Sequence, residues 1–125
     1  STACPVTLGR LSQAYPALRA RVGGLGVFFV NLEPDARADH TRDYTRAFHP
    51  DFHAVTPSDD QRARLSRTFG AWLYQTGPDR EPFHNPYLYL LVRGEGGWRI
   101  HKRIPADGDG VPALRQALQE LSRTA

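Results

Sequence analysis

The 125-residue chain has one cysteine, no methionine and one lysine, Lys102, and each scarcity narrows what it can be. A single cysteine excludes an internal disulfide framework, and it excludes a CxxC…CxxC zinc site. The missing methionine leads to the expectation that Ser1 is not the start of the gene product and that the chain is a processed protein or a piece of one. No apolar run approaches the roughly 20 residues of a spanning helix, and no signal-peptide pattern is visible from Ser1 onward. Neither a GxSxG elbow nor a P-loop occurs, so hydrolase and kinase readings find no support.

What is present is ordinary globular composition, 40% apolar and 23% charged, in a length that suits one compact domain. Basic residues outnumber acidic ones by sixteen to thirteen, for a net charge of +3, but no dense basic run exists to track a phosphate backbone. The tightest group, Arg62, Arg64 and Arg67, follows Asp59 and Asp60 directly and reads as a solvated helix face. Nucleic acid is therefore not an expected partner.

Hydrophobic spacing orders the rest. Leu8, Leu11, Tyr15 and Leu18 recur at helical steps and predict a helix over Thr7–Arg19, with Pro5 upstream where its missing N–H costs nothing. Gly23, Gly24 and Gly26 break it. The continuous apolar run Val27–Leu32 has strand length and fits a strand buried on both faces, as in a parallel sheet. Thr41, Tyr44 and Phe48 predict a helix over Ala38–Phe48, and a short extended piece follows at His53–Thr56. Ser58 and Gln61 form a capping-box pattern for a helix reaching Phe69, with Leu65 and Phe69 inward and Gly70 near its end.

Three prolines make residues 76–86 a loop. Tyr87–Val92 is a second apolar strand, and Gly94-Glu95-Gly96-Gly97 turns it into the alternating strand Trp98–Arg103. After a turn over Asp107–Gly110, Pro112 opens a last helix with Leu114, Leu118 and Leu121 on one face. A buried strand reached by helical crossovers, then a hairpin and a closing helix, gives a three-layer α/β domain. No strand precedes the first helix, although a strand delivers the chain to this position in thioredoxin-type folds.

The ordered landmarks resemble the Sco/SenC family of thioredoxin-like copper chaperones, which help assemble the binuclear copper centre of cytochrome c oxidase. Ala3-Cys4-Pro5-Val6-Thr7-Leu8 is similar to the end of the family's CxxxCP motif, with Cys4 in the place of the second cysteine. Val27-Phe28-Phe29-Val30-Asn31-Leu32-Glu33-Pro34-Asp35 resembles its FVSVDPERD segment, with Glu33 where Asp is usual. Tyr44, Phe48-His49-Pro50-Asp51-Phe52, Thr56 and Phe69-Gly70 follow its later landmarks. His84-Asn85-Pro86-Tyr87-Leu88-Tyr89-Leu90 matches the copper-binding histidine ahead of a Tyr-Leu strand.

The resemblance covers Ala3 to about Leu121, and it departs from the pattern most plainly at the first cysteine. The family's first cysteine falls one residue before Ser1, so either the chain was cut just after it or the protein never had it. On this reading the domain is a thioredoxin-like α/β/α unit, N-terminally incomplete, without the strand that precedes the first helix.

The resemblance implies copper, Cu(I) or Cu(II), as cargo, with Cys4 and His84 as metal ligands and Cys4 as the redox-active residue if disulfide chemistry occurs. Cu(I) is soft and prefers thiolate, with imidazole also acceptable. A helix N-terminus favours the thiolate, and a proline-bounded loop limits where the His84 imidazole can go. Glu33, at a strand's C-terminal end, could orient the site or simply end a buried strand. His40, His49, His53 and His101 fit no ligand pattern, and Pro50 spoils an i, i+4 pairing of His49 with His53.

The expected partners are the copper-centre subunit of cytochrome c oxidase and other copper chaperones or thioredoxin-like reductants. The expected location is the periplasm or the outer face of the cytoplasmic membrane, through an anchor outside this sequence. Two alternatives stay open: a thiol–disulfide oxidoreductase, which needs a second cysteine to resolve a mixed disulfide, and a paralogue that binds no metal.

Overall fold

A computed structural model describes residues 3–69, 87–105 and 110–124, with side chains from residue 6 to residue 122 within those ranges. The elements run α1 (Ala3–Arg21), β1 (Phe28–Val30), α2 (Ala38–Phe48), β2 (His53–Val55), α3 (Asp59–Phe69), β3 (Tyr87–Gly94), β4 (Gly97–Pro105) and α4 (Val111–Thr124). The class is mixed α/β, as the periodicities predict. The elements group into two compact units, β1-α2-β2-α3 and α1-β3-β4-α4.

The first unit is a βαβ crossover carrying a further helix. β1 and β2 pair in parallel, Phe28 opposite His53 and Val30 opposite Val55. The ladder is extended by His53 N–H donating to the Val27 carbonyl at 2.9 Å and Asn31 N–H to the Val55 carbonyl at 3.0 Å. The parallel pairing fits the apolar run, but burial on both faces does not: Phe28 is 62% exposed and Val30 37%. Within β1 only Phe29 is half-buried, its ring tilted against Tyr44 at 5.7 Å.

α2 buries Thr41 and Thr45 rather than Tyr44, which is exposed. The Thr45 hydroxyl donates to the Thr41 carbonyl at 2.6 Å, so the polar groups that helical spacing turns inward are satisfied locally. Phe52, just before β2, is buried to 2% exposure.

α3 opens on the capping box read from its sequence. The Ser58 hydroxyl accepts from Gln61 N–H at 3.3 Å, and Ser58 N–H donates to the Gln61 side-chain oxygen at 3.0 Å. Arg62 reaches back to Asp59 at 2.7 Å, while Arg64 and Arg67 are exposed, as a solvated face requires. Leu65 and Phe69 are half-buried, and α3 buries no side chain completely. Ser58→Ala should therefore cost about 1 kcal/mol of stability, read from the midpoint of urea unfolding; Ser58→Asp, which keeps an acceptor, should recover most of it.

In the second unit α1 is longer than its periodic core, extending over Pro5 at one end and to Arg21 at the other. Pro16 lies inside it and has no N–H for the Ser12 carbonyl, a defect of about 3 kcal/mol in an isolated helix. Leu8, Leu11, Tyr15 and Leu18 are all buried, each worth about 1.5–3 kcal/mol, and together they outweigh it. The Tyr15 hydroxyl also donates to the Leu25 carbonyl at 2.9 Å, fastening the chain that leaves the helix through Gly24, φ +80°.

Leu18, Leu90, Ala117 and Leu118 form a buried cluster, with Ala14, Val22, Leu25, Leu114 and Leu121 against it. β3 and β4 are an antiparallel hairpin turning through Glu95-Gly96, with Gly97 at φ +109°, where a side chain would be strained. Between Leu90 and Leu91 the register shifts: Leu90 faces Lys102 and Leu91 faces Ile100, so His101 is the extra residue of a bulge. α4 begins at Val111 with Pro112 in its first turn, and Leu114 N–H donates to the Gly110 carbonyl at 3.0 Å. The predicted loop over residues 76–86, Gly70 and most of the Asp107–Gly110 turn lie outside the described residues.

Candidate metal centre

Cys4 is the second residue of α1, inside its first turn. The first N–H groups of a helix lack intrahelical acceptors and carry the positive end of its dipole, which favours a thiolate over a thiol. That turn contains no acidic residue to oppose the charge. Pro5 follows at a position where its missing N–H breaks no helical bond. His84 lies outside the described residues, in the segment that enters β3 at Tyr87. Among the described residues no three histidine, cysteine, aspartate or glutamate side chains gather into a metal-holding group. A thiolate with an imidazole is nonetheless a donor set suited to Cu(I) and poorly suited to hard cations.

The other histidines have structural places. His49 ends α2, where its Nδ1 accepts from Asp51 N–H at 3.1 Å and its ring stacks on Phe52 at 5.1 Å. His53 lies on β2, stacked against Phe28 at 4.7 Å. His40 is on the exposed side of α2, and His101 is the bulge residue of β4.

At the C-terminal end of β1 the sequence reading missed a polar link. The Asn31 side chain donates to the Thr41 hydroxyl at 3.1 Å, and its oxygen accepts from Glu33 N–H at 3.1 Å. The buried Thr41 thus fixes the backbone that carries Glu33, whose side chain is exposed. The readable signal was Asn31 itself, a polar residue inside an apolar run, opposite a helix with Thr41 and Thr45 four apart.

At the start of β3 the Arg103 guanidinium lies 4.4 Å from the centroid of the Tyr87 ring, and Tyr87 is tilted against Tyr89 at 6.3 Å. Burial pushes the Tyr89 phenol above its usual pKa; Arg103 pulls it back and Tyr87 pushes it up. A group whose neutral form is favoured in the fold contributes stability below the unfolded pKa of about 10, lost as pH rises through the folded value. Absorbance titration at 295 nm should show a late-ionising phenol that Tyr89→Phe removes, and an unchanged curve in that variant would refute the assignment.

The family model described as SCO1/SenC matches residues 1–117. The chain belongs to the SCO1/SenC family. It is also similar to the solution structure of apo Sco1 from Thermus thermophilus, at 27% identity and a TM-score of 0.68, over 95% of this chain and 71% of that one. No curated protein matches it. The SCO1/SenC model spans both Cys4 and His84, and the Sco1 match makes the mixed α/β fold thioredoxin-like. No helix among the described residues is long and apolar enough to cross a membrane.

Proposed function

We propose that this SCO1/SenC domain carries copper as a metallochaperone and delivers it to the copper-centre subunit of cytochrome c oxidase. The observation that carries the proposal is Cys4-Pro5 in the first turn of α1, in a chain of this family. Cys4 supplies the soft thiolate and His84 the imidazole that joins it, so that metal would tie the segment before β3 to the start of α1. A low-coordinate site of soft donors holds Cu(I) and can still release it to a partner richer in thiolates. The proposed location is the periplasm or the outer face of the cytoplasmic membrane.

The test is anaerobic Cu(I) titration of the full-length protein beside its Cys4→Ser and His84→Ala variants, competed with a Cu(I) chelator of known affinity. Unchanged affinity in both variants sinks the proposal. Metal-independent turnover of a disulfide substrate would favour the oxidoreductase reading, which requires a second thiol to resolve the mixed disulfide at Cys4.

A further inference from the structure

β4 is nine residues long, and among the described residues it pairs only with β3. Its other edge presents backbone N–H and C=O groups with no neighbouring strand there. A long edge of this kind is a template on which another chain can pair. Exposed apolar side chains on the same strand add to the hazard: Trp98 is 66% exposed and Ile100 39%.

Three features of β4 oppose such pairing. The register sets Lys102 opposite Leu90 and Arg99 opposite Val92, on the face that also carries Leu88 and Ile104. Leu90 and Ile104 are buried, yet Lys102 and Arg99 are exposed. Charged residues thus stand on the core-facing side of the hairpin, where strand alternation asks for apolar ones. Neither pairs with a carboxylate among the described residues, so their charge is not neutralised there. The bulge at His101 falls between them, interrupting the ladder and raising the local twist. Pro105, with no N–H to donate, ends the strand.

We propose that Arg99 and Lys102, set on either side of the His101 bulge, guard β4 against edge pairing with a second copy of this chain. The copy is excluded because it brings the same cations. Antiparallel pairing of two β4 strands, centred between Ile100 and His101, sets Arg99 of each copy opposite Lys102 of the other. In-register parallel pairing sets each cation against itself. Like charges directly opposite, at Cβ separations of about 5 Å, are destabilising. The same reasoning explains why a lysine stands opposite the buried Leu90, a position that core packing alone would give to an apolar residue. The proposal is independent of copper.

The test is sedimentation velocity of the full-length protein at roughly 10 μM and roughly 300 μM. The wild type should sediment as a monomer at both concentrations. Arg99→Thr with Lys102→Thr, which puts strand-favouring neutral residues at both places, should self-associate at the higher one. Its β4 amides should then exchange hydrogen about ten-fold more slowly than at the lower concentration. Arg99→Lys with Lys102→Arg keeps both charges and should stay monomeric. Equal urea midpoints for all three proteins separate edge pairing from aggregation of an unfolded chain. A threonine variant that folds and remains monomeric overturns the proposal. So does association without new protection in β4, or association of the wild type through that strand.

Discussion

Serine at position 4 is expected to lower the Cu(I) affinity of the full-length protein by more than about 100-fold. Partners that merely orient a metal ligand are worth roughly 10–100-fold when mutated, so removing a ligand atom should exceed that range. Cysteine to serine changes one atom and almost no volume, yet it replaces an ionisable soft sulfur by a hard hydroxyl that stays protonated. A helix N-terminus favours a thiolate and does little for a neutral hydroxyl.

His84→Ala should also weaken binding, by a smaller factor than Cys4→Ser, because imidazole is the less soft of the two donors. His40→Ala and His101→Ala should leave affinity unchanged, since neither fits a ligand pattern and the described residues form no alternative metal group. Competition with a Cu(I)-specific chelator reads all four. The ordering Cys4→Ser worse than His84→Ala, with the controls silent, separates a designed site from copper held loosely by scattered histidines. Equal losses in every histidine variant would identify the latter.

How far the sequence reached depended on whether a feature was local. The capping box at Ser58 and Gln61, the Gly-rich hairpin turn and Pro112 in the first turn of α4 are settled within a few residues, and each stands in the fold as read. α1 outran its predicted span at both ends because periodicity marks the buried stretch and not where the helical turns stop, while Pro16, inside that span, is offset by four buried side chains, a tertiary effect that propensity does not contain. His53–Thr56 read only as an extended piece; its parallel partner β1 lies about 25 residues away, and such pairing has no local signature. The apolar run Val27–Leu32 gave the parallel strand but not its exposure, because apolar character states a preference for burial and not what covers the residue. The bulge at His101 likewise has no cue in composition. Cys4 at a helix start was readable from Pro5 and the periodicity beyond it. His84 was legible only through the likeness of its surrounding segment to a family, since a lone loop histidine carries no pattern of its own.

The second large effect is expected at Phe52. This side chain is among the largest fully buried ones, 2% exposed, at the point where the chain leaves α2 and enters β2. Its ring stacks on His49, its N–H donates to the His49 carbonyl at 3.1 Å, and the next residue begins the parallel pairing with β1. Phe52→Ala therefore opens a cavity where the crossover returns to its sheet, a change that costs about 3–5 kcal/mol. That is a large fraction of the roughly 5–15 kcal/mol that holds a domain folded. Phe52→Leu keeps most of the volume and should cost less than about 1.5 kcal/mol. Urea unfolding of the full-length protein should show the midpoint falling strongly for alanine and weakly for leucine, with the slope unchanged in both. We expect one cooperative transition, consistent with one domain, so that Leu118→Ala in the other unit lowers the same midpoint. Two transitions, each moved by one variant alone, would instead make the β1-α2-β2-α3 unit and the α1-β3-β4-α4 unit independent in folding.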